Sequence, residues 1–239
     1  MMFGLSEQYA VNRTFAAKTF IPKELGANDK KRLRETLLSI ALNSQITGEA
    51  IPSLADEEYY CQAILFFEIK LKKLKDAAFV SGIIQSRVKE LCVIRFFDTA
   101  GEVYSFAAKR LNRQDTNEIV LEDSYITPEL PVGFPNEMKR ELLNQLDFNN
   151  IKNRNNKLCF YLEMMLRAFI VTNKGLYSKQ AELLDSKVWY NYEDMKALLS
   201  GLKQLLNLKT SLKLAAVPAE KIRLNGGIKQ VMESLLRFL

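Results

Sequence analysis

Apolar positions along this chain change period several times, and each change marks an element. Residues 1–27 read as irregular, punctuated by Pro22 and Gly26. A helix follows, capped by Asn28 or Asp29, with Leu33, Leu37, Leu38 and Ala41 at helical spacing. Its other face carries Lys30, Lys31, Arg34 and Glu35, and Gly48 and Pro52 close this part. From Tyr59 to Leu71 the chain reads YYCQAILFFEIKL, aromatic and branched, with a centre apolar on both faces. That is the pattern of a covered, interior strand. Lys72, Lys73 and Lys75 break it, and Asp76 to Glu90 predicts a helix with a stripe of Phe79, Val80, Ile83, Ile84 and Val88. Leu91–Asp98 and Glu102–Leu111 are strands joined by Thr99-Ala100-Gly101, a β-hairpin signature. A polar loop over 112–117 leads to a further strand, Glu118–Tyr125, and Pro128, Pro131, Gly133 and Pro135 mark a loop.

The last hundred residues read as helix. Asn136 caps a helix running to about Leu146, and the polar link FNNIKNRNNK follows. Leu158–Asn173 carries CFYLEMMLRAFIV, an apolar helix expected to pack on the sheet and to end at Gly175. Tyr192–Leu208 is amphipathic, with Met195, Leu198, Leu199, Leu202 and Leu205 on one side. Pro218 separates it from a final helix ending at Leu239, which Asn225-Gly226-Gly227 is expected to interrupt or turn. The mixed order predicts an α+β fold. Its central sheet, mixed or antiparallel, contains a hairpin and is packed by helices. Residues 1–135 form the sheet core, and 136–239 a helical region on the same domain.

Composition narrows the chemistry. Lys and Arg number 34 against 28 Asp and Glu, a net charge of +6 that favours anionic partners, nucleic acid first. Cys61, Cys92 and Cys159 each lie in apolar runs without metal-ligand spacing, as buried reduced thiols of a cytoplasmic protein do. The start lacks the pattern of a signal peptide, and no run of 18 apolar residues occurs, so no membrane partner is expected. Histidine is absent. That removes Ser-His-Asp and Cys-His nucleophilic sites and histidine-dependent zinc sites. Catalysis would have to use carboxylates, lysine, tyrosine or an oxygen-ligated metal such as magnesium. Neither GxxxxGK[ST] nor GxGxxG occurs.

The sharpest local feature is Glu68-Ile69-Lys70. Strand side chains alternate, so Glu68 and Lys70 share one face. This resembles the metal-dependent nucleases of PD-(D/E)xK type. In that reading Glu68 binds magnesium, Lys70 activates the attacking water, and Asp56, Glu57 or Glu58 supplies a second acid. The competing reading is a surface ion pair. Basic clusters are the second feature. Lys30, Lys31, Arg32 and Arg34 open a helix; Lys70, Lys72, Lys73 and Lys75 follow a strand; Lys109, Arg110 and Arg113 end the hairpin; Lys152, Arg154 and Lys157 lie in a loop. Each can neutralise phosphates or form a solvated face, and convergence of several on one surface decides between the two. Trp189, Tyr190 and Tyr192 are a candidate stacking surface or packed anchors.

The segments VNRTFAAKTFIP, KKRLRETLLSIALNSQITGEAIP and ILFFEIKL, the hairpin CVIRFFDTAGEVYSFAAKR and the tail LKLAAVPAEKIRLNGGIKQVMESLL resemble the bacterial domain-of-unknown-function family 4391. The likeness covers nearly the whole chain. It implies an accessory role beside helicases and DNA methyltransferases in restriction-modification-like or phage-defence systems. The expectation is therefore a protein without catalysis or cofactor of its own, binding DNA, a helicase or methyltransferase subunit, or both. The alternatives are the magnesium-dependent nuclease of Glu68 and Lys70, and an assembly protein using the amphipathic helices of 192–239.

Overall fold

The computed structural model describes residues 2–16, 21–48, 50–116 and 118–239. Positions 17–20 of the expected irregular opening and position 117 of the expected polar loop lie outside the described residues. The chain divides into two compact units, Met1–Thr172 and Asn173–Leu239. The fold is α+β.

The first unit is built on a seven-stranded mixed sheet. Its strands are β1 (Ala10–Phe15), β2 (Leu37–Ile46), β5 (Ile64–Leu71), β6 (Leu91–Phe97), β7 (Gly101–Leu111) and β8 (Ile119–Ile126), in that spatial order, with β9 (Leu130–Pro131) also on β7. A separate two-stranded ribbon joins β3 (Leu54–Ala55) to β4 (Tyr60–Cys61). Helices α1 (Ala27–Thr36), α2 (Ala77–Gln85), α3 (Glu137–Gln145) and α4 (Lys157–Thr172) complete the unit. The β5–β6 pair is parallel and every other pair is antiparallel among the described residues. A parallel pair cannot be closed by a tight turn, so α2 crosses between its two strands. Val80 and Ile84 of α2 pack with Ile40, Phe67, Ile69, Ile94 and Phe96 in one core.

Two expectations need correction. The irregular opening contains β1, and the first helix stops at Thr36 instead of running to Ala41. Ile40, Leu42, Ser44 and Ile46 are buried at alternate positions, because β2 pairs with β1 on one side and β5 on the other. Leu33 and Leu37 fit either period locally. The sheet neighbours, which local spacing cannot reveal, decide for strand. The run from Tyr59 also divides into β4 and β5, with β5 interior as its two-faced apolarity predicts.

Helix α4 lies buried along its whole length, including Lys157, Glu163 and Arg167. Its Tyr161 does more than fill space. The β6–β7 ladder runs from Phe97↔Glu102 to Ile94↔Ser105. The next rung in that register would join Cys92 and Ala107. Instead the Tyr161 hydroxyl accepts from the Ala107 N–H at 2.7 Å and donates to the Cys92 carbonyl at 2.7 Å. A phenol thus replaces a rung and ties α4 to the sheet. The three cysteines are free and buried, as expected.

The second unit contains α5 (Gln180–Asp185), α6 (Tyr192–Leu214) and α7 (Pro218–Leu235). Met195, Leu198, Leu199, Leu202 and Leu205 of α6 are the buried stripe that the spacing predicts. Leu235 lies against Gly201 and Leu208 against Gly227, so α6 and α7 run antiparallel. A Cβ on Gly201 would sit 2.9 Å from the Leu235 side chain, and hydrogen there allows the close approach. Asn225-Gly226-Gly227, expected to break the last helix, lies inside α7. Packing offsets a glycine penalty of about 1 kcal/mol per residue. Trp189 is fully buried and donates to the Leu184 carbonyl, so it is a packed anchor and offers no stacking face.

Tyr161→Phe keeps the ring and removes the substitute rung. It leaves a buried N–H and reduces the partners of a buried carbonyl, and should cost about 1–3 kcal/mol. Chemical denaturation checks this, with far-UV circular dichroism expected to be unchanged.

Candidate nucleic-acid interface

Helix α1 and the loop after β5 are remote in sequence and adjacent in space. The Lys72 N–H donates to the Thr36 carbonyl at 2.8 Å, joining the end of α1 to the end of β5. Two of the basic clusters therefore meet. Between them lies a concave surface of about 520 Å³, lined by Arg32, Glu35, Thr36, Lys72, Lys73, Lys75 and Asp76. The residues in it divide by role. Arg32 is fixed: it donates to Asp76 from Nε at 3.1 Å and Nη2 at 2.5 Å, and its guanidinium lies 4.2 Å from the Phe79 ring centre. Lys72, Lys73 and Lys75 are exposed, and none of their ammonium groups has an ion pair or hydrogen bond among the described residues. Arg34 and Lys31 lie exposed on α1, Lys31 in a loose 4.0 Å pair with Glu35, and the Lys30 ammonium donates to the Lys23 carbonyl.

The other basic clusters do not join this surface. Lys109 is buried, 3% exposed, with its ammonium donating to the carbonyls of Val88 and Glu90 at 2.8 and 2.7 Å. Burial lowers its pKa. Expected among the phosphate-facing cations, Lys109 instead closes the end of the α2–β6 connection. Arg110 pairs with Glu122 at 3.8 Å and Arg113 with Glu58 at 3.9 Å. Arg110 is near the end of β7 and Arg113 just past it, at the opposite end of the strands from the 72–76 loop. Lys157 is buried and donates to the carbonyls of Gly48 and Ile51. Arg154 stacks on Phe148 at 4.3 Å.

Glu68 and Lys70 do share a face of β5, opposite the α2 core. The partners that Glu68 finds differ from those of the nuclease reading. In the parallel register Glu68 stands beside Arg95, whose Nη1 donates to Glu68 at 2.7 Å. The same guanidinium donates to Glu102 from Nε at 2.9 Å and Nη2 at 2.5 Å. Glu102 is fully buried and also takes Lys139 at 2.9 Å and the Tyr104 hydroxyl at 2.9 Å. Asp56, Glu57 and Glu58 sit in the β3–β4 turn, where Asp56 accepts from the N–H groups of Glu58 and Tyr59. The Glu58 carbonyl accepts from Leu111, seven residues along β7 from the Tyr104 that stands opposite Arg95. At about 3.3 Å per residue that is roughly 23 Å along the strand from the level of Glu68. No group of three acid or cysteine side chains able to hold a metal occurs among the described residues. The Glu68 carboxylate serves an ion-pair chain that ends in a cleft of about 590 Å³.

The family model described as a domain of unknown function, DUF4391, matches residues 3–235. The chain belongs to that family. No curated protein and no solved structure matches it. The match spans both compact units, so the DUF4391 region includes the sheet and the C-terminal helices alike. No helix among the described residues is long and apolar enough to cross a membrane.

Two residues important to this DUF4391 fold escaped the sequence reading, one beside Glu68 and one beside the basic loop. Glu102 is the hub of a buried network, yet it reads as an ordinary polar residue in a hairpin. Burial opposes the charge on Arg95, but its hydrogen bonds to Glu102 and Glu68 outweigh that and hold its pKa above the ordinary value. Asp98 is the other. Its Oδ1 accepts from the N–H groups of Ala100 and Gly101, and its Oδ2 from Leu74 N–H at 3.0 Å. It thereby fixes the hairpin turn and the basic loop together. An aspartate two residues before Ala100-Gly101 is a turn signal, but nothing local indicates the bond to Leu74.

These bonds, led by the Gly101 and Ala100 N–H groups, hold the Asp98 pKa below the usual aspartate value. A depressed folded-state pKa contributes stability above the unfolded value, about 3.9, and loses it as pH falls through the folded value. Asp98→Ala should therefore lower the melting temperature at pH 6–7, and the gap to wild type should narrow towards pH 2. Thermal melts across that range measure both.

Proposed function

We propose that this protein is a non-catalytic accessory factor that binds DNA through its phosphate backbone, using the surface formed by α1 and the loop after β5. One observation carries the reading: two clusters separated by about forty residues of sequence converge, and three of their lysines remain exposed and unpaired. Unpaired surface ammonium groups grouped on a concave face raise the local concentration of a polyanion. Among the described residues no aromatic side chain lines this surface, and its one guanidinium, Arg32, is already held by Asp76, which leaves the lysines as the free contacts. The contact is therefore with phosphates and independent of sequence. A restriction-modification-like or phage-defence setting, with a helicase or methyltransferase as companion, fits a factor that supplies such affinity to an enzyme partner.

The nuclease alternative is less well supported. Arg95 already neutralises Glu68, and the acids required beside it lie at the other end of the sheet. Assembly through the C-terminal helices has its own observation. Leu214, Val217 and Ile222, around the α6–α7 turn, are 80%, 56% and 74% exposed. Large apolar side chains grouped at the surface mark a contact with another protein.

Electrophoretic or anisotropy titrations with duplex DNA over a range of salt test the main reading. The logarithm of affinity should fall with the logarithm of salt at about 0.9 per phosphate contacted. The triple variant Lys72→Ala, Lys73→Ala, Lys75→Ala should reduce that slope by about 2–3. Arg110→Ala with Arg113→Ala should leave it unchanged. Absence of binding at low salt, or a triple variant that behaves as wild type, defeats the proposal.

A further inference from the structure

We infer that the basic surface takes duplex DNA in preference to single strands, and that Asp98 is the positioning residue that presets it for a duplex. Such a preference presupposes that this surface binds DNA at all, as proposed for it.

The loop after β5 reads Lys72-Lys73-Leu74-Lys75-Asp76, and alternate residues of it are tied down. The Lys72 N–H donates to the Thr36 carbonyl at the end of α1. The Leu74 N–H donates to Asp98 Oδ2 at 3.0 Å, and the Leu74 side chain is buried in the core that α2 covers. The Asp76 carboxylate takes Arg32 of α1. Three anchors in five residues hold the backbone, while Lys72, Lys73 and Lys75 stay exposed. Two anchors come from α1 and the third from the turn between β6 and β7. Asp98 is that third anchor. Its Oδ1 accepts from the Ala100 and Gly101 N–H groups at 2.8 and 2.9 Å, so the hairpin turn sets where the loop lies.

A fixed set of cations suits a fixed set of phosphates. Duplex DNA is stiff over about 50 nm and presents one charge per about 1.7 Å of its axis. A loop already ordered by the fold has little further freedom to lose on meeting it. A single strand is flexible, and proteins hold it by stacking its bases on aromatic side chains. None lines this surface among the described residues. Phe79, beside it, lies under the Arg32 guanidinium at 4.2 Å.

Anisotropy titrations with a labelled duplex and a single strand of equal phosphate count, at one salt concentration, test the assignment. The wild type should bind the duplex more tightly. Asp98→Asn keeps the oxygen that holds the turn but sets an amide nitrogen, which cannot accept, against the Leu74 N–H. It should lower duplex affinity relative to single-strand affinity by about 3–10-fold, the effect of one net hydrogen bond. The substitution also removes a negative charge, which strengthens binding of both forms, so the ratio of the two affinities separates position from charge. Circular dichroism checks folding. If Asp98→Asn does not fold, Asp76→Asn, which releases the loop from Arg32, takes its place with the same fall in ratio expected. Equal or tighter binding of the single strand overturns the duplex assignment and leaves DNA binding standing. An unchanged ratio in a folded variant overturns the presetting of the loop. Absence of binding to either form defeats the DNA reading itself.

Discussion

The parallel pairing of β5 with β6 is the constraint on which the first unit depends. Two parallel neighbours must be joined by a crossover, and here the crossover is α2. Its burial over Phe67, Ile69, Ile94 and Phe96 satisfies one face of the central strands. The chain leaves β5 for that crossover at the end of the strands where α1 also ends. The loop that begins the crossover must be polar to turn in water, and its lysines are thereby carried to the end of α1. The candidate interface is a by-product of how a parallel pair has to be connected.

The opposite face of the sheet shows a different solution. It buries charge beside hydrocarbon such as Phe66, Val93 and Phe106: Glu102 with Arg95, Lys139 and Tyr104, and Glu68 at the open end. Removing one partner of such a buried set costs about 3–5 kcal/mol, because the remaining charge loses its counterion. Helix α4 repeats the device. Glu163 accepts from the N–H groups of Lys152 and Asn153 and from Arg167 Nε, which pins the polar link preceding the helix. These networks explain why a helix with three charged residues can be covered throughout. They also explain why the carboxylate of a Glu-x-Lys pattern is already occupied by arginine.

The two proposed surfaces rest on opposite physics. On the first unit, cations are left unpaired and exposed, which is tolerable in water and useful towards a polyanion. On the second, the apolar side chains of Leu214, Val217 and Ile222 are left without cover, which water opposes. Each surface is a proposal that rests on what it leaves unsatisfied: positive charge in one case, apolar area in the other.

Much of the fold was legible along the chain because strong periods are local. The interior strand β5, the hairpin of β6 and β7, the Asn136 cap and the buried stripe of α6 all follow from spacing alone. So does the exclusion of imidazole chemistry, which rests only on composition. What the tertiary structure decided was every choice between equal local alternatives. Leu37–Ile46 became strand because it had neighbours on both sides. Asn225-Gly226-Gly227 stayed helical because α6 packs alongside. Lys72 and Lys109 look alike in sequence, each basic at the end of an apolar strand. One is unpaired in solvent and the other is sealed beneath two carbonyls, because the sheet's topology puts their ends in different surroundings. Local spacing fixes which side chains share a face, but only the folded chain determines what that face meets.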